Sequence, residues 1–166
     1  MTDISIRIAQ GSDDYDIARG LCRAWLEWHW NAYPQDWPIE GNPMAPEKFE
    51  VILNDLPELH ARPGGAILIA SVDGQAAGCV MYNEAEADVA VFNRMFVNEG
   101  GRGLGIGRLM FEEMIADGYR KVMFSSATFL IHARKMYEGA GFSDIPHPQG
   151  FPEAWRRYVY FMERQL

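Results

Sequence analysis

The sequence predicts an α/β fold with a mixed, mostly antiparallel sheet flanked by helices. Strand patterns and helix patterns alternate along the whole chain. The dipeptide Asp73-Gly74 separates two apolar strand patterns, which is typical of an antiparallel hairpin. After residue 89 a strand, a helix and a strand follow one another, and a parallel pair of strands needs such a crossover helix.

The N-terminal half begins with a strand at 4–9, where apolar and polar residues alternate. Ser12, Asp13 and Asp14 are N-cap candidates for a helix that extends to about residue 30. Pro46 suits the first turn of a second helix, which should end before Pro57. The hairpin strands should cover 66–72 and 76–82, and their turn could extend to residue 75.

The C-terminal half contains the predicted crossover. A strand at 89–97 leads through a glycine-rich bend into a helix at 107–119. Apolar residues recur there at helical spacing, so this helix should bury one face. They are Ile106, Leu109, Met110 and Met114. A buried strand at 121–125, a helix at 129–139 and a last strand at 158–162 complete the order.

Length and charge restrict the classes of function. A chain of 166 residues can bury one substantial core but is short for two, so we expect a single domain over 1–166. The net charge of −8 argues against nucleic-acid binding, which relies on clustered lysine and arginine. An acidic surface suits cationic acceptors, although solubility alone explains it equally well.

Cysteine and histidine patterns favour neither a disulfide framework nor a metal site. Cys22 and Cys79 are the only cysteines and form no CxxC pattern, and the histidines show no common ligand spacing. The N-terminus lacks the basic and apolar regions of a signal peptide, and no apolar run approaches the ~18 residues of a membrane span. We therefore expect a cytoplasmic protein without a metal.

The most informative segment extends from Arg94 to Arg108 and reads as a strand, a glycine-rich bend and the start of a helix. Glycines at 101, 103, 105 and 107 allow close approach and positive φ, so several N–H groups can point at one oxyanion. Arg102 and Arg108 add guanidinium groups suited to phosphate. The segment predicts a phosphate site, and a plain strand-to-helix turn is the alternative.

Two familiar phosphate loops do not match this segment. A Walker loop needs Lys-Ser or Lys-Thr after its last glycine, and a dinucleotide loop needs a glycine where Ile106 or Arg108 stands. The run Arg102-Gly103-Leu104-Gly105-Ile106-Gly107 instead resembles the pattern Gln/Arg-x-x-Gly-x-Gly/Ala of the GNAT N-acetyltransferase superfamily.

A second segment strengthens the resemblance. Residues 133–142 are similar to Ala-x-x-Leu-Tyr-Glu-x-x-Gly-Phe of the same family, and Tyr137 matches its tyrosine. The resemblance is tightest from Val89 to Phe142, looser in the N-terminal helices, and extends weakly to a tail similar to bacterial members. It implies a GNAT-like fold over nearly the whole chain.

The resemblance also implies acetyl-coenzyme A (acetyl-CoA) as cosubstrate. Backbone groups of Met95, Phe96 and Val97 would contact its pantetheine arm, and amides near Val97 would polarise the thioester carbonyl. Tyr137 would donate a proton to the departing thiolate; taken alone, it reads as an ordinary half-buried tyrosine near the end of a helix. The pyrophosphate would lie on Arg102, Gly103, Leu104, Gly105, Ile106, Gly107 and Arg108.

The acceptor side departs from the family pattern. Val91 stands where many relatives place a glutamate that serves as base. Deprotonation through water, aided by Glu84, Glu86 or Asp88, is one interpretation, and a solvated turn is the other for these carboxylates. Without a strong base, weakly basic acceptors are favoured.

Aromatic residues crowd the first helix and its exit, where the family commonly builds its acceptor pocket. Core packing or a dimer surface is the alternative for most of them. They are Trp25, Trp28, Trp30, Tyr33 and Trp37.

The leading hypothesis is an N-acetyltransferase that moves an acetyl group from acetyl-CoA to a primary amine of a small molecule or peptide, directly within a ternary complex. A catalytically inactive acyl-CoA-binding or regulatory module and a purely structural domain are the alternatives. We expect no nucleic-acid or membrane partner. The sequence leaves open whether the protein forms a homodimer.

Overall fold

The computed structural model describes all residues, 1–166, and contains one seven-stranded sheet of order β1-β2-β3-β4-β5-β7-β6. The strands are β1 (Ile4–Ile8), β2 (Gly65–Val72), β3 (Gln75–Glu86), β4 (Val89–Val97), β5 (Lys121–Ala127), β6 (Ser143–Ile145) and β7 (Val159–Gln165). The helices are α1 (Gly11–Ala32), α2 (Pro46–Asn54), α3 (Leu56–Leu59), α4 (Ile106–Ala116) and α5 (Ile131–Gly139), with a 3-10 turn at Glu153–Trp155.

Strand directions confirm the predicted mixed sheet. Every neighbouring pair is antiparallel except β4 and β5, which are parallel. Helix α4 connects these two strands and is the expected crossover.

Strand β2 separates two hydrophobic cores. Successive side chains of a strand point to opposite faces of the sheet. Ala66, Leu68 and Ala70 lie in the first core, whereas Ile67 and Ile69 lie in the second. Because both faces are covered, β2 is apolar at nearly every position instead of alternating.

Different helices cover the two faces. The first core is completed by α4 and α5, through side chains such as Met110, Met114 and Tyr137. The second is completed by α1 and α2, through side chains such as Cys22 and Phe49.

Helix α1 differs in detail from its prediction. It begins at Gly11, follows Gln10 as N-cap and has no side-chain cap. Asp14 instead accepts a hydrogen bond from the backbone N–H of Gln10 at 2.9 Å and pairs with Arg7 at 2.8 Å. The carboxylate thus stabilises the helix start through the preceding strand. In addition, the short α3 begins at Leu56, one residue after α2 ends, and carries Pro57 in its first turn, where proline is tolerated.

The C-terminal half contains one strand that was not predicted. The edge strand β6 has only three residues, and Ser143 and Asp144 are exposed, so it carries no alternating pattern. Strand β7 lies between β5 and β6 and is longer than predicted, as is β3. Helix α4 ends at Ala116, earlier than predicted, and Gly118 follows with φ 100°.

Candidate active site

Strands β4 and β5 separate after a short parallel pairing. The paired residues are Val89 with Lys121, Ala90 with Val122 and Val91 with Met123. Beyond them β4 continues beside β3 alone, and β5 continues beside β7. The sheet therefore opens between the C-terminal parts of these two strands.

A bulge in β4 accompanies the opening. Cys79 pairs with Phe96 but Met81 pairs with Asn93, so β4 carries one more residue than β3 between these pairs. Within this stretch Arg94 has φ 51°, a left-handed conformation that is strained for a residue with a Cβ. The bulge thus lies in the part of β4 that no longer pairs with β5.

A cavity of about 440 Å³ occupies the opening. Its walls come from β4 at 92–95, β5 at 124–127, the N-terminal helix and loop at 25–44, α5, and the loop at 151–159. No aspartate or glutamate lines it. Arg94 contributes to the wall, but its guanidinium contacts Nε2 of His60 at 2.6 Å and Sδ of Met81 at 3.1 Å. The cavity is therefore mostly apolar and aromatic.

Tyr137 reaches this cavity from α5. Its side chain is 7% exposed and packs on Phe124 with a ring-centroid distance of 4.2 Å. Its hydroxyl donates a hydrogen bond to Sδ of Met95 at 3.5 Å. Burial raises the pKa of Tyr137, so the phenol keeps its proton at neutral pH. A protonated hydroxyl thus lies at the wall of the cavity.

The glycine-rich loop leads into the N-terminus of α4. Gly103 and Gly105 adopt φ of 78° and 75°, as predicted, but Gly101 and Gly107 do not take positive φ. Gly101 is needed for close packing instead, since a Cβ there would lie 2.8 Å from both Ile106 Cδ1 and Val97 Cγ1.

The backbone amides of this loop divide into two groups. The N–H groups of Gly101 and Arg102 donate to the carbonyl of Asn98, and that of Leu104 donates to Gly101. Five others donate to no protein acceptor; they belong to Gly103, Gly105, Ile106, Gly107 and Arg108. Free amides at a helix start carry the positive end of the helix dipole. This arrangement suits an anion with several oxygens.

The side chains of the loop differ in exposure. Ile106 is buried in the first core, so it can offer only its backbone to a ligand. Arg102 is exposed, and its Nε donates to the carbonyl of Val97 at 3.3 Å. Arg108 is exposed and lies 3.9 Å from Glu112, a weak surface pair. Both arginines are thus exposed residues of the segment that carries the free amides.

The predicted pantetheine strand is only partly at the cavity. Met95 lines it, whereas Phe96 and Val97 continue along β4 opposite Cys79 and Gly78. Phe96 packs against the second core and Val97 against the first.

Of the five aromatic residues predicted near the acceptor pocket, Trp25, Tyr33 and Trp37 line the cavity. Trp28 is 45% exposed and takes no part. Trp30 packs against the second core and donates from Nε1 to the carbonyl of Met44 at 2.9 Å. The packing interpretation fits Trp30, and the acceptor pocket stays a prediction for the three residues that line the cavity.

The carboxylates considered as bases do not line the cavity. Glu84, Glu86 and Asp88 are exposed around the turn between β3 and β4, at the end of β4 opposite the bulge. Val91 lies where β4 still pairs with β5. The solvated-turn interpretation fits these side chains.

Sequence reasoning missed His29. It lines the cavity from α1, is 4% exposed, and packs against Trp25 at 5.0 Å and Phe129 at 5.2 Å between ring centroids. Burial lowers the pKa of His29 to about 4, so the ring is neutral at physiological pH. Neither ring nitrogen has a hydrogen-bond partner, and Nδ1 is fully enclosed. A lone histidine among aromatics gives no spacing signal that could have singled it out.

Trp155 and Tyr158 also line the cavity and were not predicted. They come from the segment before β7, far in sequence from the N-terminal residues that line the same cavity. The ring of Tyr158 lies 4.6 Å from that of Trp37.

No group of three or more histidine, cysteine, aspartate or glutamate side chains is placed to hold a metal ion. None of the helices combines the length and apolar character that crossing a membrane requires.

Comparison with known proteins agrees with this architecture. The family model described as "Acetyltransferase (GNAT) family" matches residues 22–142. A search of curated proteins finds no match.

Solved structures are similar over nearly the full length. An acetyltransferase of the GNAT family from Staphylococcus aureus is 18% identical, with TM-score 0.71 and coverage of 98% of this chain and 99% of that one. An acetyltransferase from Streptococcus agalactiae is 16% identical, with TM-score 0.72 and 98% coverage of both chains. The ribosomal-protein-S18-alanine N-acetyltransferase from Escherichia coli is 15% identical, with TM-score 0.62 and coverage of 99% and 94%.

The TM-scores of these structures establish a common fold, and the family model covers well over half of the chain. The chain belongs to the GNAT acetyltransferase family.

Proposed function

We propose that this protein transfers the acetyl group of acetyl-CoA to a primary amine of a small molecule or peptide while both substrates are bound. The observation that carries the proposal is the set of five unpartnered amides at the start of α4, which Met95 connects to the cavity: Met95 lies against Gly107 and lines the cavity together with Tyr137. The amides supply an anion site, and the cavity supplies space for the reacting groups.

The glycine-rich loop would hold the pyrophosphate through the amides of residues 103–108, with Arg102 and Arg108 as additional cations. Beside the loop, backbone groups of β4 from Met95 to Val97 would contact the pantetheine arm. Met95 also contacts Tyr137, so a pantetheine arm that follows β4 from the loop to Met95 would bring its sulfur toward the phenol.

The thioester of acetyl-CoA, when bound, supplies a carbonyl carbon activated for attack. The acceptor nitrogen bonds to that carbon, the carbon–sulfur bond breaks, and the sulfur gains a proton as the nitrogen loses one. Holding both reactants in place provides much of the acceleration in such a direct transfer.

Tyr137 would act on the departing sulfur as a hydrogen-bond donor. Reference pKa values of ~10 for tyrosine and ~8.5 for a thiol make complete proton transfer uphill by roughly 2 kcal/mol. Burial raises the pKa of Tyr137 further and adds to this cost. The phenol therefore stabilises developing negative charge more effectively than it gives up its proton.

Removal of the proton from the amine falls to solvent, since no carboxylate lines the cavity. A typical alkylammonium with pKa ~10.4 costs roughly 4.6 kcal/mol to deprotonate at pH 7, whereas an α-amino group near ~7.7 costs about 1 kcal/mol. The free-energy cost of deprotonation in such a site is therefore smallest for weakly basic acceptors.

The test uses the purified full chain. Calorimetry with coenzyme A measures binding, and release of free thiol from acetyl-CoA measures transfer to amines. We expect both binding and amine-dependent thiol release. Failure to bind coenzyme A would contradict the proposal outright.

A second candidate function is an acyl-CoA-binding module without catalysis. The absence of a carboxylate from the cavity favours it. Tight binding of acetyl-CoA, with no thiol release for any amine, would support this module over the enzyme.

A further inference from the structure

The acceptor side of the cavity combines aromatic walls with a single unpartnered imidazole. We propose that the acceptor is an aromatic amine of low basicity, whose ring packs against these walls and whose N–H donates to Nε2 of His29. This inference rests on the proposed function and specifies its acceptor.

The walls are formed by side chains from two distant parts of the chain. Tyr33 and Trp37 follow α1, with ring centroids 5.8 Å apart. Trp155 and Tyr158 precede β7 and are likewise 5.8 Å apart. Trp37 and Tyr158 join the two groups, with ring centroids 4.6 Å apart, so the four rings form one continuous aromatic surface. The faces and edges that this surface turns to the cavity favour contact with another planar ring over an aliphatic chain of equal size.

His29 supplies the polar contact. Buried polar groups in proteins almost always have a hydrogen-bond partner, and one without a partner calls for an explanation. Nδ1 of His29 is enclosed, whereas Nε2 also lacks a partner but is not among the enclosed atoms. The nitrogen that the cavity can reach is therefore Nε2. With the proton on Nδ1, it accepts a hydrogen bond from an amine and leaves the amine's lone pair free to attack.

The charges around the cavity favour an uncharged amine over an alkylammonium. No carboxylate lines the cavity, and the guanidinium of Arg94 is turned toward His60 and Met81. Aromatic walls can attract a cation, but an ammonium must lose a proton before it attacks. His29 is a weak base, because burial lowers its pKa to about 4. An arylamine is already uncharged at neutral pH and needs neither a counterion nor a base.

The substrate test compares three amines at neutral pH by thiol release from acetyl-CoA. Aniline has the ring and low basicity, cyclohexylamine has neither, and benzylamine has the ring with high basicity. We expect kcat/KM to be highest for aniline, by about tenfold or more over each of the others. Cyclohexylamine as good as aniline would overturn ring recognition, and benzylamine as good as aniline would overturn the preference for low basicity.

Failure of the inference can be distinguished from failure of the proposed function. Transfer only to strongly basic amines or to peptide amines would overturn the arylamine and leave the acetyltransferase intact. Binding of coenzyme A without transfer to any amine would overturn both.

The residue test replaces His29 with phenylalanine, which keeps a ring but removes both nitrogens. We expect His29→Phe to lower kcat/KM for aniline about tenfold, mainly through KM, with unchanged affinity for coenzyme A. His29→Gln, which restores an acceptor atom, should recover part of the loss. Trp28→Phe on the exposed side of α1 is the matched control and should change nothing. Wild-type kinetics in His29→Phe would overturn the role of His29.

Discussion

The hydroxyl of Tyr137 lies 3.5 Å from Sδ of Met95, so the only hydrogen bond of this buried phenol is to a thioether. A thioether sulfur is a weak acceptor. The hydroxyl therefore loses little when a better acceptor replaces Met95. Such a donor, protonated and weakly held, suits a site where negative charge appears on another sulfur.

The first prediction concerns Tyr137→Phe. Loss of the donor should lower kcat about a hundredfold, as for other hydrogen-bond donors to developing negative charge, while the affinity for coenzyme A stays the same. Thiol release and calorimetry measure the two effects. Tyr160→Phe is the control, because Tyr160 is also buried, its hydroxyl lacks a partner, and it does not line the cavity. Full activity of Tyr137→Phe would exclude the assigned role.

The second prediction isolates the amides of the loop. Gly105→Ala and Gly74→Ala each place a Cβ at φ near 75–80° where nothing lies within 4 Å. Both should lose about 1 kcal/mol of stability through the same backbone strain. Only Gly105→Ala should weaken binding of coenzyme A, since Gly74 lies in the β2–β3 turn. Equal affinities in calorimetry would remove residue 105 from the anion site.

The third prediction concerns packing beneath the loop. A Cβ at Gly101 would meet Ile106 and Val97 at 2.8 Å, so Gly101→Ala should destabilise the fold by about 1–3 kcal/mol. Gly20→Ala on α1 has open space and should instead stabilise by roughly 0.5–1 kcal/mol. Urea unfolding measures both. A neutral Gly101→Ala would mean that the loop relaxes freely.

The fourth prediction is a loss of stability in mild acid. Burial lowers the pKa of His29 to about 4, and burial together with Arg94 lowers the pKa of His60 to about 4. Between ~6.5 and about 4 the unfolded chain binds more protons than the folded one, so stability falls as pH falls. At about pH 5 each of these two histidines should lower the free energy of unfolding by roughly 2 kcal/mol relative to neutral pH.

Urea unfolding at several pH values measures this slope. His29→Phe should flatten it, whereas His132→Asn should not, because His132 is exposed. A slope unchanged by His29→Phe would show that His29 is not buried as a neutral ring.

The parts of the site that were predictable are those written in contiguous residues. The loop at 101–108 and Tyr137 each lie within a short motif, and local backbone chemistry determines their form. The bulge at Arg94 was not predictable, because it depends on the register between β3 and β4. The cavity walls were only half predictable, since Trp155 and Tyr158 meet Trp37 through tertiary packing alone. His29 could not be singled out from the sequence, because a lone histidine on an apolar face is compatible with ordinary packing.

The short pairing of β4 with β5 has a mechanical consequence. Within the sheet, three residue pairs are the only link between the four strands β1 to β4 and the three strands β5 to β7. An occupant of the gap contacts both halves and ties them together where cross-strand bonds are missing. Amide hydrogen exchange should therefore slow throughout both halves of the sheet when coenzyme A binds, including in strands remote from it. Filling the gap would thus stabilise the whole sheet.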